Sequence, residues 1–430
     1  MQNDTPAQVS QVDRPLPVLG WATYDFANTI YSAVVVTAFF PVFMNRLIGR
    51  DIFTGIAQTA SMILAGLIVP VAGAVADRTG RGKRYLWRFT VICCAATLCI
   101  GLAANDRAFD AGAGRPAPAG IAAAVLLLFV AANLAYQISL VFYNALLPSV
   151  ASPERQGRVA GLGVGLGYLG VVIALPIAQA MVKATGAMSS AFIVAGVLFL
   201  VSAVPCFVLV RPPAMAAPVR VTRRLLRERF RALGGTLRSL PRTPRVLCFF
   251  LGNFLCVDVV NTLIMWTRPI LGDEAKGLGW GSDRAIQVLM GMSVTAFVLG
   301  LAMGWLTDRL GPKRTMLAAA GGVAGCIAAA SLFRSQAVVI PVILILGSGG
   351  LAGTWVAGRK FLLTIAPPGK TGEYFGLYGV TTKLSVIGCT LFAAVADLTG
   401  SYRTALLIEL LPLALGILLL AFASTRRSDP

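Results

Sequence analysis

The chain has 430 residues, 57% of them hydrophobic and 13% charged, with a mean hydropathy of +0.78, which excludes an ordinary soluble protein and points to many membrane crossings. A formal net charge of +19 would suit a nucleic-acid binder, but the lysines and arginines concentrate in the tails and in every second loop, the positive-inside pattern of a membrane protein. Histidine is absent, which removes imidazole base catalysis and imidazole metal ligation.

A span needs about 20 mainly apolar residues. Twelve such runs occur, at 18–44, 53–76, 86–104, 120–147, 159–182, 190–210, 246–271, 286–307, 315–333, 337–366, 374–396 and 404–423. The tail before them, 1–17, has no basic n-region and no small-residue cleavage site, so the first span is expected to be retained. The expected organisation is a six-helix bundle over 18–210, a basic linker over 211–245, a second six-helix bundle over 246–423 and a short tail over 424–430. Both tails are expected in the cytoplasm.

Span one carries Asp25 and Asn28 inside YDFANTIYS. A charge near the bilayer centre costs about 2.5–3.5 kcal/mol on insertion scales, so a carboxylate there should face a cavity or a partner. After span two comes GAVADRTGRGKR, with Gly73, Asp77, Arg78, Gly80 and Arg81. Span four offers Asn133, Tyr136, Gln137 and Asn144; the three amides recur on one helical face and suit a polar or zwitterionic solute, or amide bonding between helices. In span five Gly165, Gly167 and Gly170 fit G-x-G-x-x-G, but without a preceding strand or a following acid the motif reads as close helix packing. The GSGGLAG cluster of span ten reads likewise. The eight cysteines lie in apolar runs and read as reduced packing residues.

Ten arginines fall between Arg211 and Arg245, where VTRRLLRERFRALGGTL sets apolar residues at helical spacing among basic ones. This predicts an amphipathic helix on anionic inner-leaflet lipid. Span seven then repeats span one: Asp258-Val-Val-Asn261-Thr262 answers Asp25-Phe-Ala-Asn28-Thr29. The loop after span eight, GWLTDRLGPKR, repeats the earlier one with Gly304, Asp308, Arg309, Gly311 and Lys313. Two landmarks displaced by nearly one interval mark an internal duplication. Such a pair of bundles encloses a central path between them, where the Asp–Asn faces are placed. Asp77 and Asp308 each end a helix at its negative pole, so each is expected to meet an arginine or another helix's N-terminus and to latch that face. Arg359 and Lys383 are candidates for a substrate carboxylate or for neutralising the aspartates. Lys360 is expected to snorkel to the inner surface, and Glu409 to serve a gate or a wet structural position.

This pattern resembles the major facilitator superfamily. Within it the chain resembles the autophagy-related vacuolar effluxer family, through Trp21, Tyr24, Asp25, Phe26, Ala27 and Asn28, through Phe142 to Pro148, through Asp258, Asn261 and Thr262, and through Gly372 to Tyr378 followed by Lys383. The resemblance implies an all-α fold of twelve transmembrane helices in two homologous six-helix bundles, and alternating access with a cytoplasmic latch at the paired loop motifs. It also implies efflux of amino acids or similar small zwitterions.

Proton coupling through a membrane carboxylate is the expected drive, with no cofactor, no metal, no nucleic acid and a monomeric chain. Short loops favour a bacterial cytoplasmic membrane. The alternatives are a proton-coupled exporter of drugs, sugars or other metabolites, and a transporter-like receptor or scaffold, which would not alternate its access. No phosphate loop, zinc motif or nucleophile elbow supports an enzyme.

Overall fold

The computed structural model describes residues 12–79, 81–103, 108–152, 155–211, 234, 235, 238, 240–366 and 371–423, with backbone alone at 70, 73–79, 156–158 and 371–373. Twelve helices are long and apolar enough to cross a membrane. In chain order they are α1 (Pro15–Ile48), α2 (Ile52–Thr79), α3 (Gly82–Ala103), α4 (Ala119–Val150), α5 (Gln156–Thr185) and α6 (Ser190–Leu209). The second set is α7 (Pro244–Gly272), α8 (Gly281–Leu310), α9 (Pro312–Leu332), α10 (Gln336–Ile365), α11 (Thr371–Leu384, then Ile387–Thr399) and α12 (Tyr402–Phe422). Apart from one isolated bridge between Asp110 and Arg115, the described residues form no β-structure. The predicted amphipathic segment of the linker lies largely outside the described residues.

Each set of six gathers around an apolar core to which the other set adds a few residues, Ile286 and Leu289 of α8 in the first and Met62 of α2 in the second. The first gathers Trp21, Tyr24, Phe40, Phe129, Phe142 and Phe192; the second gathers Phe249, Trp266, Phe361, Phe392 and Tyr402. Outside these cores the helices present large apolar side chains outward, among them Leu127, Leu301, Leu398 and Leu411. Helices that are apolar all round, with Leu on the exposed face, need hydrocarbon as their outer solvent. The protein is therefore an integral membrane protein.

The duplication extends to a capping device not read from the sequence. Near the start of α3, Lys83 Nζ donates to the Val210 carbonyl just past α6 (2.5 Å). Near the start of α9, Lys313 Nζ donates to the Ala421 and Ala423 carbonyls at the end of α12, both at 2.6 Å. In each bundle a lysine thus meets carbonyls left without intrahelical donors, at the negative pole of the bundle's last helix.

Among the described residues regular geometry fails at four places, one of them a short interruption of α4 at Leu146. The middle of α1 is a π-helix, Tyr31–Phe39; α10 has a shorter one, Ile343–Gly347; and α11 breaks at Ser385 and Val386. Such interruptions survive within a membrane only where other groups satisfy the freed backbone. The sets meet along α2 against α11, α5 against α8, and α1 against α7. Gly55 makes the first contact close, since a Cβ there would lie 2.7 Å from the Cys389 carbonyl oxygen.

Candidate functional site

The α11 break explains why Asp258 and Asn261 stand three residues apart. The carboxylate of Asp258, 5% exposed, accepts from the Gly388 N–H at 3.1 and 3.0 Å. Gly388 lies in the first turn of the second α11 segment, where N–H groups lack intrahelical acceptors and a helix N-terminus favours negative charge. Asn261 Nδ2 donates to the Ser385 carbonyl at 2.7 Å. Thr59, on α2 of the other bundle, donates to the Val386 carbonyl at 2.8 Å. One acceptor and one donor on the same face of α7 therefore serve the two sides of the break, and α2 supplies the third bond.

The matching pair in α1 is used differently. Asn28 Nδ2 donates to Asp25 Oδ1 at 2.9 Å, so the pair is closed on itself. Asp25 is directed at α5 and α4 within its own bundle rather than at the seam: a Cβ on Gly163 would lie 2.6 Å from its Oδ2, 3.1 Å from the Trp21 ring and 3.2 Å from the Tyr143 hydroxyl. Tyr143 stacks against Trp21 at 4.4 Å and Tyr24 at 4.9 Å between ring centroids. The Trp-x-x-Tyr-Asp and Phe-Tyr-Asn signatures are thus two sides of one packed cluster. Gly167 and Gly170 press α5 against Thr29 and Phe26, in keeping with the packing reading of the glycine motif.

Just before the α11 break, Lys383 donates to Gln137 Oε1 across the seam. Gln137 is buried, and Asn133, one turn earlier, is almost wholly so; its Nδ2 donates to Ser61 Oγ at 2.7 Å and to Gln58 Oε1 at 3.2 Å. Tyr136 packs on Tyr31 with ring centroids 4.9 Å apart. Asn144 and Arg359 are exposed and do not join this group. Among the described residues Lys383 has no carboxylate partner; it is tied neither to Asp25 nor to Asp258.

The start of α1 and the end of α12 lie on one face, because the number of crossings is even. The opposite face is closed by a lock that none of the sequence motifs announced. Asp397, near the end of α11, accepts from the Asp51 and Ile52 N–H groups at 2.9 and 2.8 Å and so caps α2 from the other bundle. The carboxylate of Asp51 is wholly buried and accepts from Lys276 Nζ (2.9 Å), the Tyr402 hydroxyl (2.9 Å) and Asn45 Nδ2 (2.6 Å). Lys276 also reaches Asp397 Oδ1 at 3.2 Å.

Burial pushes Asp51 above its ordinary 3.8, against the lowering pull of Lys276, Asn45 and Tyr402. For Lys276 burial works downward, but the bonds and charges of Asp51 and Asp397 outweigh it and hold the ammonium above its ordinary 10.5. Beneath the lock lies a cavity of about 140 Å³ lined by Asn45, Arg268, Asp273, Ser282 and Tyr402. Arg268, 3% exposed, reaches from α7 to the Ala38 carbonyl in the α1 π-segment and lies 4.1 Å over the Phe39 ring. Gln179 and Lys183 of α5 bond Asp283 of α8 at 2.8 and 2.5 Å.

On the face of the termini, Asp308 pairs with Lys360 of α10, a lysine of its own bundle rather than the arginine or helix N-terminus expected. Lys360 reaches that surface, as snorkelling required, and finds a partner there. Arg309 lies 4.1 Å over the Trp305 ring. Gly311 turns the loop with φ 84°, in the region that favours glycine. The side chains of the matching loop, from Gly73 through Asp77 and Arg78 to Gly80, lie outside the described residues, and Arg81 beside them is exposed. No sequence motif marked Asp51, Lys276, Asp397, Tyr402 or Arg268; the one signal was a charge placed at or just beyond the end of an apolar run.

Twelve spans in two six-helix bundles, a broken helix at the seam and one closed face define a membrane transporter of the major facilitator superfamily. Solved transporters share the fold. A nucleoside transporter NupG variant superposes with a TM-score of 0.69 at 12% identity, covering 96% of this chain and 100% of that one. A D-xylose-proton symporter superposes with 0.69 at 12% identity, covering 94% and 96%. In sequence, the chain is 24% identical over 427 residues to an uncharacterized MFS-type transporter, YxiO, of Bacillus subtilis (strain 168), covering 95% of each. Residues 51–430 match the vacuole effluxer Atg22-like family, and the chain belongs to that family.

Proposed function

We propose that this protein is a secondary transporter working by alternating access, and that it exports amino acids or related small zwitterions coupled to protons. The observation that carries the substrate class is Lys383, a cation at the seam whose partner is the neutral amide of Gln137. A carboxylate entering there gains a charge-assisted hydrogen bond that the amide does not provide. The Asp25 and Asp258 carboxylates are the candidate proton carriers. The basic loops support a bacterial inner membrane with both termini in the cytoplasm. On that orientation the closed face is the outer one. The 211–245 segment is assigned to anionic lipid, and the chain to a monomer.

The test is counterflow and gradient-driven transport of a labelled amino-acid panel in proteoliposomes, with Lys383→Gln and Asp258→Asn beside the parent. One amino acid should accumulate with the gradient, and Lys383→Gln should raise its half-saturating concentration at least tenfold. A folded, inserted protein that moves none of the panel overturns the amino-acid assignment. A second reading, export of an uncharged polyol or sugar, draws on the neutral donors and acceptors Gln58, Ser61, Asn133 and Gln137. It predicts transport that is indifferent to Lys383→Gln.

A further inference from the structure

The least compensated charge-bearing group described is Glu409 on α12. It is 4% exposed, its Oε2 has no hydrogen-bond partner, and α12 packs along α7 and against α11 and α9. Two titratable groups stand within electrostatic range of it, Asp258 of α7 and Cys389 of α11. Neither is a cation. On α9 the basic residues Lys313 and Arg314 lie at the far end, and Lys313 is engaged with the carbonyls of Ala421 and Ala423, the nearer of which is about 18 Å along α12 from Glu409 at 1.5 Å per residue. Cys326 is the other titratable residue of that helix. Arg268 is held by Ala38 and Ser282, Lys383 by Gln137, and Arg403 of α12 itself by the Ser331 carbonyl.

Two carboxylates buried together without a counter-cation cannot both be ionised. Their surroundings differ in a way that assigns the charge. Asp258 takes the Gly388 N–H on both oxygens, a donor that stabilises an anion. Among the described residues Glu409 receives no donor.

We propose that Asp258 and Glu409 form a carboxylate pair binding one proton, carried on Glu409 in this conformation, inside the second bundle. The pair lies beside the α11 break, so that movement of α11 against α7 alters the donor on Asp258 and with it the site that holds the proton. This deepens the proton-coupled reading above and rests on it for its purpose, whereas the binding of the proton itself is measured without transport.

The experiment uses the full-length protein in detergent and dicyclohexylcarbodiimide, which attacks protonated carboxyls in apolar surroundings, with the adduct located by peptide mass spectrometry from pH 6 to 9. Glu409 should be labelled, the labelling should fall as pH rises, and Glu409→Gln should abolish it. At fixed pH, Asp258→Asn should reduce labelling several-fold, because removing the neighbouring negative charge lets Glu409 ionise. A merely structural Asp258 would not produce that change. No adduct on Glu409, an adduct indifferent to pH, or one indifferent to Asp258→Asn overturns the proposal. Protection by sodium chloride but not by choline chloride at constant pH overturns the proton as occupant in favour of sodium. Labelling that behaves as expected in a protein that transports no amino acid leaves the pair standing and removes the substrate assignment alone.

Discussion

Lys276→Ala should open the face opposite the termini. Among the described residues Lys276 is the only cation paired with the buried Asp51 carboxylate, and it bonds Asp397 as well, while Asp397 caps α2 of the other bundle. Removing one partner of a fully buried ion pair costs about 3–5 kcal/mol; an exposed pair is worth under about 1 kcal/mol. Lys276 lies between these limits, with its side chain 20% exposed against 0% for Asp51. Asp51 also keeps Asn45 and Tyr402 as donors. A loss of about 2 kcal/mol follows from interpolating between those limits. At about 1.4 kcal/mol per factor of ten, that moves the balance between closed and open faces by about 30-fold. The assay is the rate at which an impermeant maleimide labels Val42→Cys, which lines the cavity beneath the lock. The rate should rise by a comparable factor with Lys276→Ala, and Asp397→Asn should act in the same direction. A change under twofold for both would refute the reasoning and make the cluster a static surface network.

Gly388→Ala places a methyl group against Asp258 Oδ2 and 2.7 Å from Thr262 Oγ1; overpacking of this kind costs about 1–3 kcal/mol, to be read as a lower unfolding midpoint in detergent, and it should also disturb the labelling of Glu409. Gly163→Ala crowds Asp25 to a similar degree, 2.6 Å from its Oδ2, but should lower the midpoint while leaving Glu409 labelling unchanged. Lys83→Met removes one bond to a helix-end carbonyl and Lys313→Met removes two, at about 1 kcal/mol per lost bond; both should lower the midpoint, Lys313→Met by about twice as much, and an effect confined to one bundle would deny the shared capping role. The lock also fixes a pH response. Asp51 and Lys276 both have raised pKa values in the closed face, so closure binds protons more tightly at each. The contribution of Asp51 is complete below 3.8 and is lost as pH rises through its raised value; that of Lys276 is complete below 10.5 and is lost as pH rises beyond it. Spin-label distances across that face should therefore lengthen with alkalinity and never shorten.

The crossings could be read from the chain because run length against bilayer thickness is a local quantity. Span 190–210 was expected and Ser190–Leu209 is found; 404–423 was expected and Tyr402–Phe422 is found. The break in α11 could not be read in this way. Its sequence, TTKLSVIGCTLF, contains no proline, and what holds the break open comes from elsewhere: Asn261 from α7, Thr59 from the other bundle, and Asp258 on the far side. The lock was hidden for the same reason. Asp51 and Tyr402 are separated by 351 positions, and each of its charges alone resembles an ordinary residue at a loop. Arg268 escaped notice because it stands near the end of its run, where an arginine is expected to reach for water; instead it turns inward to the π-segment of α1.

The two Asp–x–x–Asn pairs carry a further argument. Duplication gave both bundles the same residues at the same place in their first helices, yet the structure satisfies them in different ways. In α1 the asparagine is spent on its own aspartate, and the aspartate lies against an unbroken α5 at Gly163 and Gly167. In α7 the pair is divided between the two ends of a broken α11, where a backbone N–H and a backbone carbonyl both need partners. A self-satisfied pair within one bundle changes little when the bundles rock, because none of its partners crosses the seam. The pair at the break shares its helix with Thr59 of the opposite bundle, so rocking must either carry α11 along or release that bond. Motion between the bundles therefore acts on the Asp258 carboxylate more directly than on Asp25. Substitutions at Asp258 and Asn261 should accordingly alter coupling more than those at Asp25 and Asn28 do.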